Sequence, residues 1–371
     1  MSKKPSYHQS SQFRNWIFTQ EDLDNLRKSE NQEAVQRVKA VLEKELAANN
    51  KIDELKTIRF ISDRDQLIYC KFYESKIKGY CGKSNLNFDL SIQATATAFF
   101  KRFYLKNSIM DYDPKIFVLT CLFLAAKVEN CALPLDEFIK RIKINPPQPS
   151  QILESEFELS KGINFDYAVH HPFWPLHGYL LDMQTFFYQS STSIPNLSQK
   201  ISTTYSKALS IAKNSLLTDL MFTNWPSQIA MACLFLAAKE TNFVEDVDSY
   251  FKSRLKDESE KIFSLSENEI NLKLVEGSDG DVGDGGEKLL FKLREMVERL
   301  GNILKEAKNM VPEKNDAKVV DEKLQICKNP LSNPESHVSK LKVLEESKIQ
   351  AEKRAKKIKL QEERNGKFII M

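Results

Sequence analysis

Apolar residues fall on helical spacing along most of the chain, and strand-like alternation is nearly absent. Between Asp65 and Cys81, Tyr69, Phe72, Tyr73, Ile77 and Tyr80 make one stripe, with Ser62 and Asp65 placed to start the helix. Leu90–Leu105 carries Ile92, Ala96, Phe99 and Phe103 on one face behind an Asp89 cap. Pro114–Lys127 is apolar on nearly every face, the pattern of a helix surrounded by others. Shorter helices are predicted at Asp136–Ile142 and Gln151–Ile163, with the turn Asn145–Ser150 between them. A second series follows at Phe173–Tyr188, Leu197–Leu217, Pro226–Glu240, Val247–Leu255 and Glu287–Lys308. Ahead of both, Thr19–Asn49 reads as a long charged amphipathic helix.

The two series are related by repetition. The heptapeptide CLFLAAK stands at Cys121–Lys127 and again at Cys233–Lys239, an offset of 112 residues that Pro114 and Pro226 share. Proline is well tolerated at a helix's first position, where its missing N–H would have no partner. Both copies therefore read as central helices that start at proline and end near lysine. A period this long describes two similar domains rather than a solenoid of hairpins. The expected organisation is an arm and helix over 1–60, a first domain at 61–168 and a second at 169–256. A polar, disordered insertion is expected at 257–286, a helix completing the second domain at 287–311, and a charged, largely disordered tail at 312–371. Five of the 11 glycines fall within Gly277–Gly286.

Composition narrows the function. The 371 residues carry 54 basic and 51 acidic side chains, a formal charge of +3 that gives no support to a general nucleic-acid binder. The N-terminus has no apolar signal region, and the run Ile116–Ala126, bracketed by lysines, is too short to span a bilayer. Six scattered cysteines with no CxxC pair suit free thiols in a reducing compartment. A calcium loop begun at Asp279 fails, with Asp284 where glycine is needed and Leu290 where glutamate is needed. His170, His171 and His177 have no cysteine pair nearby and read as packing residues. No phosphate loop, nucleophile elbow or HExxH motif occurs, so no catalytic residue, metal or cofactor is expected. The basic run Lys353–Lys359 has the composition of a nuclear signal or of a solvated tail.

The stretch AFFKRFYLKNSIMDYDPKIFVLTCLFLAAKVEN at 98–130 resembles the second and third helices of a first cyclin box, closest to the cyclin H type. SSQFRNWIF at 10–18, HHPFWPLHGYLLDM at 170–183 and LLTDLMFTNWPSQIA at 216–230 resemble the same branch, and ICKNP at 326–330 looks like its fungal members. The resemblance implies an all-α fold of two tandem five-helix cyclin boxes, with an N-terminal helix and a C-terminal helical extension. It implies a non-catalytic activator of the TFIIH-type cyclin-dependent kinase, with a RING-finger assembly subunit and the TFIIH core as further partners, in the nucleus. Direct contact with nucleic acid or membrane is not implied. Two substrate classes follow for the complex: the C-terminal repeats of RNA polymerase II and the activation loops of other cyclin-dependent kinases. By the same resemblance the kinase contacts are Lys127 and Glu156, with Leu124, Val128 and Phe165 as apolar neighbours. Lys239, lacking a glutamate 112 residues after Glu156, where Asn268 stands, is expected to be a helix cap or an intramolecular partner. The alternatives are another transcriptional cyclin, or a TFIIB-like DNA-binding adaptor of the same fold. The latter would want an N-terminal zinc ribbon, and no cysteine precedes Cys70.

Overall fold

The computed structural model describes residues 7–143, 145–189, 194–263 and 285–368, and every regular element among them is a helix. In chain order these are α1 (Ser11–Trp16), α2 (Gln20–Ala48), α3 (Asp63–Tyr80), α4 (Leu90–Lys106), α5 (Pro114–Val128), α6 (Leu135–Arg141) and α7 (Pro149–Gly162). Then come α8 (Phe173–Gln189), α9 (Leu197–Ser215), the single turn α10 (Leu220–Thr223), α11 (Pro226–Glu240) and α12 (Val244–Phe263). The last are α13 (Gly285–Glu306), α14 (Lys314–Cys327) and α15 (His337–Phe368). Of the insertion expected to be disordered at 257–286, residues 264–284, Asn268 among them, lie outside the described residues, whereas 257–263 and 285–286 differ from the expectation in continuing α12 and opening α13.

Two hydrophobic cores form, each around one copy of the repeat. In the first, α5 is buried from Phe117 to Ala126 and packs against α3, α4 and α7. Asp113 caps α5 through the Lys115 N–H, and Pro114 opens it, as the sequence pattern requires. The Ser62–Asp65 capping box is formed at the start of α3. A Cβ on Gly162 would lie 2.6 Å from the Phe103 ring, so glycine lets the end of α7 close on α4. In the second core α11 is enclosed by α8, α9, α12 and α13.

The ends of the chain differ from the sequence reading. The segment after 312, expected to be a largely disordered tail, contributes α14, whose Ala317, Val320, Leu324 and Cys327 join the first core against α3. Polar ties hold it there: Tyr69 Oη donates to Asp321 at 2.5 Å, Lys323 bonds Asp65 at 3.2 Å, and Lys328 bonds Asp113 at 3.1 Å. Both carboxylate oxygens of Glu45, on α2, then accept the first backbone N–H groups of α15, from His337 and Val338. A carboxylate at a helix N-terminus satisfies donors that would otherwise lack partners. Beyond that anchor α15 is exposed from Lys340 to Ile358, including Lys353–Lys357 of the basic run.

The N-terminal arm is equally integral. Trp16 is fully buried and donates its indole N–H to Asp166 at 2.9 Å. Arg102, also fully buried, donates to the carbonyl of Asp166 at 2.8 Å and to Gln12 at 3.3 Å, and lies over the Trp16 ring. Gln12 in turn accepts the His170 N–H at 2.7 Å. The arm thus pins the link between the two domains. A second joint is ionic: buried Lys101 on α4 meets Glu74 of α3 at 3.0 Å and Asp219 at 3.2 Å, and Arg27 of α2 meets Asp219 at 2.8 Å.

Candidate functional site: a lysine–glutamate pair between α5 and α7

Lys127 occupies the last turn of α5, where a cation is favoured by the helix dipole. Glu156 projects from the middle of α7. The two side chains meet across the groove between these helices, with Lys127 Nζ 2.6 Å from Oε1 and 2.8 Å from Oε2 of Glu156. Lys127 Nζ also sits 4.3 Å from the centroid of the Phe123 ring, a cation–π contact that fixes its direction. Its side chain remains 40 % exposed and that of Glu156 18 %. The pair leaves one ammonium N–H and the remaining carboxylate lone pairs unused, so it can present both a donor and an acceptor to a partner.

Apolar side chains surround the pair. Phe165, just past α7, is 56 % exposed, and Val128 is half-buried beside Lys127. Phe165 holds a left-handed backbone, φ 56°, directly after Asn164 at φ 56°. Asparagine adopts that region readily; a bulky ring in it costs on the order of 1–3 kcal/mol and is found chiefly at functional positions. Leu124 is 5 % exposed and lies in the core, so it supports the surface from behind instead of forming it. Two residues that the resemblance does not name extend the patch: Leu153 and Phe157, 52 % and 63 % exposed on α7. Positions 153, 156 and 157 share one side of the helix, about a quarter-turn round from the buried Ile152 and Leu159. Two large apolar residues on the outer face of a helix whose inner face is already apolar are the available signal.

The second domain repeats the lysine without the pair. Lys239 is exposed at the end of α11, and among the described residues it makes no ion pair. The helix that plays the part of α7 here is α13, because the intervening segment breaks the 112-residue register beyond α11. Its Glu298 lines, with Lys239 and Phe235, a cavity of about 380 Å³. Glu245 and Asp248 share that cavity too, but none of the three carboxylates closes on Lys239, so among the described residues it has no intramolecular ionic partner.

His170 and His171 are structural. His171 Nε2 lies 2.8 Å from Thr95 Oγ1, which itself donates to Glu129 at 2.5 Å, and burial holds the imidazole's pKa down to about 3. All six cysteines are free, and five of them are buried. Among the described residues no helix is long and apolar enough to cross a membrane.

Two helical domains built on repeated central helices, with a charged pair on the first, define a class, and sequence comparison agrees. The family model described as the cyclin N-terminal domain matches residues 82–168, and that of the cyclin C-terminal domain matches 171–312. A cyclin-H from Xenopus laevis is 30 % identical over 275 residues, covering 72 % of this chain and 80 % of its own length. Cyclin CCL1 of Saccharomyces cerevisiae is 32 % identical over 254 residues, and the chain spans 62 % of that relative's length. Cyclin mcs2 of Schizosaccharomyces pombe is 28 % identical over 353 residues, 95 % of this chain and 94 % of that one. Among solved structures, a chain of the CAK complex from Chaetomium thermophilum, bound to ATP-gamma-S, superposes with a TM-score of 0.68 at 23 % identity. That match covers 92 % of this chain and 94 % of the other, and it bears on the fold alone. A chain of the yeast TFIIK (Kin28/Ccl1/Tfb3) complex matches at 0.54 and 26 % identity, over 80 % of this chain and all of that one. The chain belongs to the cyclin family. Within that family its place is with the transcriptional cyclins of the H type.

Proposed function

We propose that the chain is the regulatory subunit of a TFIIH-type cyclin-dependent kinase, which it binds through the first box and activates without supplying a catalytic atom. The observation that carries this reading is the Lys127–Glu156 pair, partly exposed amid Leu153, Phe157, Phe165 and Val128. An apolar surface with one donor and one acceptor at its centre fits the side of a partner helix and its connecting loop. Held there, the αC helix of a kinase keeps its lysine–glutamate pair and its metal-binding aspartate aligned. The similar yeast chain comes from an assembly of Kin28, Ccl1 and Tfb3. By that likeness a RING-type assembly subunit and the TFIIH core are further partners, and the nucleus is the location. The substrates of the complex are the C-terminal repeats of RNA polymerase II and the activation loops of other cyclin-dependent kinases.

The test is affinity purification of the chain with identification of the kinase recovered, followed by titration of that kinase with variants. Lys127→Ala and Glu156→Ala each leave a half-buried charge without its partner and are expected to weaken binding by about 2–5 kcal/mol. Lys239→Ala, which removes no pair, is expected to activate normally. Recovery of no kinase, or equal losses from Lys127→Ala and Lys239→Ala, would refute the assignment.

A further inference from the structure

A cleft of about 540 Å³ opens where the N-terminal arm, the link between the domains and the first turns of α8 and α11 come together. Its walls are aromatic: Tyr7, His8, His170, Trp174 and Trp225, with Pro175 and Pro226 beside the two indoles. His8 meets Trp225 edge to face at 4.8 Å between centroids, and Tyr7 meets His170 in the same way at 5.4 Å. These contacts brace one wall, whereas Trp174 stands 78 % exposed, the most open of the large apolar side chains among the described residues.

In a chain in which 28 % of residues are charged, no lysine, arginine, aspartate or glutamate among the described residues lines this cleft. Burial also lowers the pKa of both His170 and His171, which keeps them neutral near pH 7. A phosphate, a nucleic acid or a charged peptide would find no described side chain there to neutralise it. The donors open to a ligand are the indoles: Trp174 stands exposed, and no described residue engages the indole N–H of Trp174 or Trp225.

We propose that this cleft binds an uncharged, proline-rich peptide segment in the polyproline II conformation. Pyrrolidine rings pack well between aromatic faces, and such a segment has free backbone carbonyls with few N–H groups to match them. Indole donors on an apolar wall supply what those carbonyls lack. The ligand is extended before it binds, so little conformational entropy is lost. The cleft uses elements other than the α5–α7 surface, so its occupancy is independent of the kinase contacts and can be measured without a kinase.

The experiment is a titration of the full chain with a blocked, uncharged peptide carrying proline at every third position, followed by tryptophan fluorescence and calorimetry. Saturable binding with a dissociation constant on the order of 10–100 μM is expected. Trp174→Ala should weaken it by about tenfold, the scale of one lost aromatic contact, while Trp174→Phe retains most of it. Because Trp174 is exposed, the thermal midpoint of both variants should stay at that of the parent, which separates lost contact from lost fold. The proposal is overturned by absence of saturation into the millimolar range. It is equally overturned if Trp174→Ala leaves affinity unchanged, or if a proline-free or acidic peptide binds as tightly.

Discussion

His171 shows how a single side chain reports the state of the joint between the domains. Its ordinary pKa of 6.5 is pushed to about 3 by burial, with Arg102 and His170 adding to the effect, so it is neutral in the fold and protonated in the unfolded chain over the interval between. Its contribution to stability is complete above pH 6.5 and is lost as pH falls toward 3, at up to about 1.4 kcal/mol per pH unit. Glu74 works in the other direction, because burial raises its carboxyl to about 7 from 4.5, and stability falls as pH rises through that window. The two are separated by comparing the chain with His171→Gln in urea unfolding at several pH values. The free-energy difference between them should shrink from pH 6.5 downward; a difference that does not change with pH would remove His171 from the account.

At the scale of the element, legibility follows the strength of local signals. The starts of α5 and α11 are readable from Pro114 and Pro226, and α3 from its capping pair, because those signals act within one turn. Lys127 and Glu156 are placed by resemblance and stand within hydrogen-bonding distance. The α7 residues Leu153 and Phe157 are signalled only as apolar positions off the Ile152–Leu159 stripe, and that signal alone does not say what they meet. Helix α1 has only six residues, too few for periodicity to register. Helix α14 escapes for a different reason: its apolar positions are sparse among charges, and Ala317, Val320, Leu324 and Cys327 become a core face only when α3 is beside them. Leu324→Ala should therefore cost about 2–5 kcal/mol in denaturant unfolding, as a buried leucine does, and not the near-zero cost of a change in a solvated tail.

Over the whole molecule the two boxes are unequal copies joined by charge as well as by packing. The first closes its lysine onto a glutamate, and the second leaves Lys239 open over a cavity. Lys101, 4 % exposed, binds Glu74 on its own side of the joint and Asp219 on the other. Its two acceptors belong to different domains, so the buried ammonium ties one domain to the other. Lys101→Met keeps the bulk and removes the charge, stranding Glu74 and leaving Asp219 to Arg27 on α2. A loss of about 3–5 kcal/mol is expected, with calorimetric unfolding splitting from one transition toward two as the domains uncouple. A single unshifted transition would show that the ionic joint is dispensable.

The docking of α14 on α3 has a consequence for the order in which the chain is made. The hydroxyl of Tyr69 and the carboxylate of Asp321 are 252 residues apart, so the first domain's core stays incomplete until the second domain has been synthesised. Domains emerging from a ribosome ordinarily fold in sequence, the earlier ones first. Here the domain that emerges first is finished last, and until then the face of α3 that α14 covers is open to whatever nascent-chain binding factors are at hand.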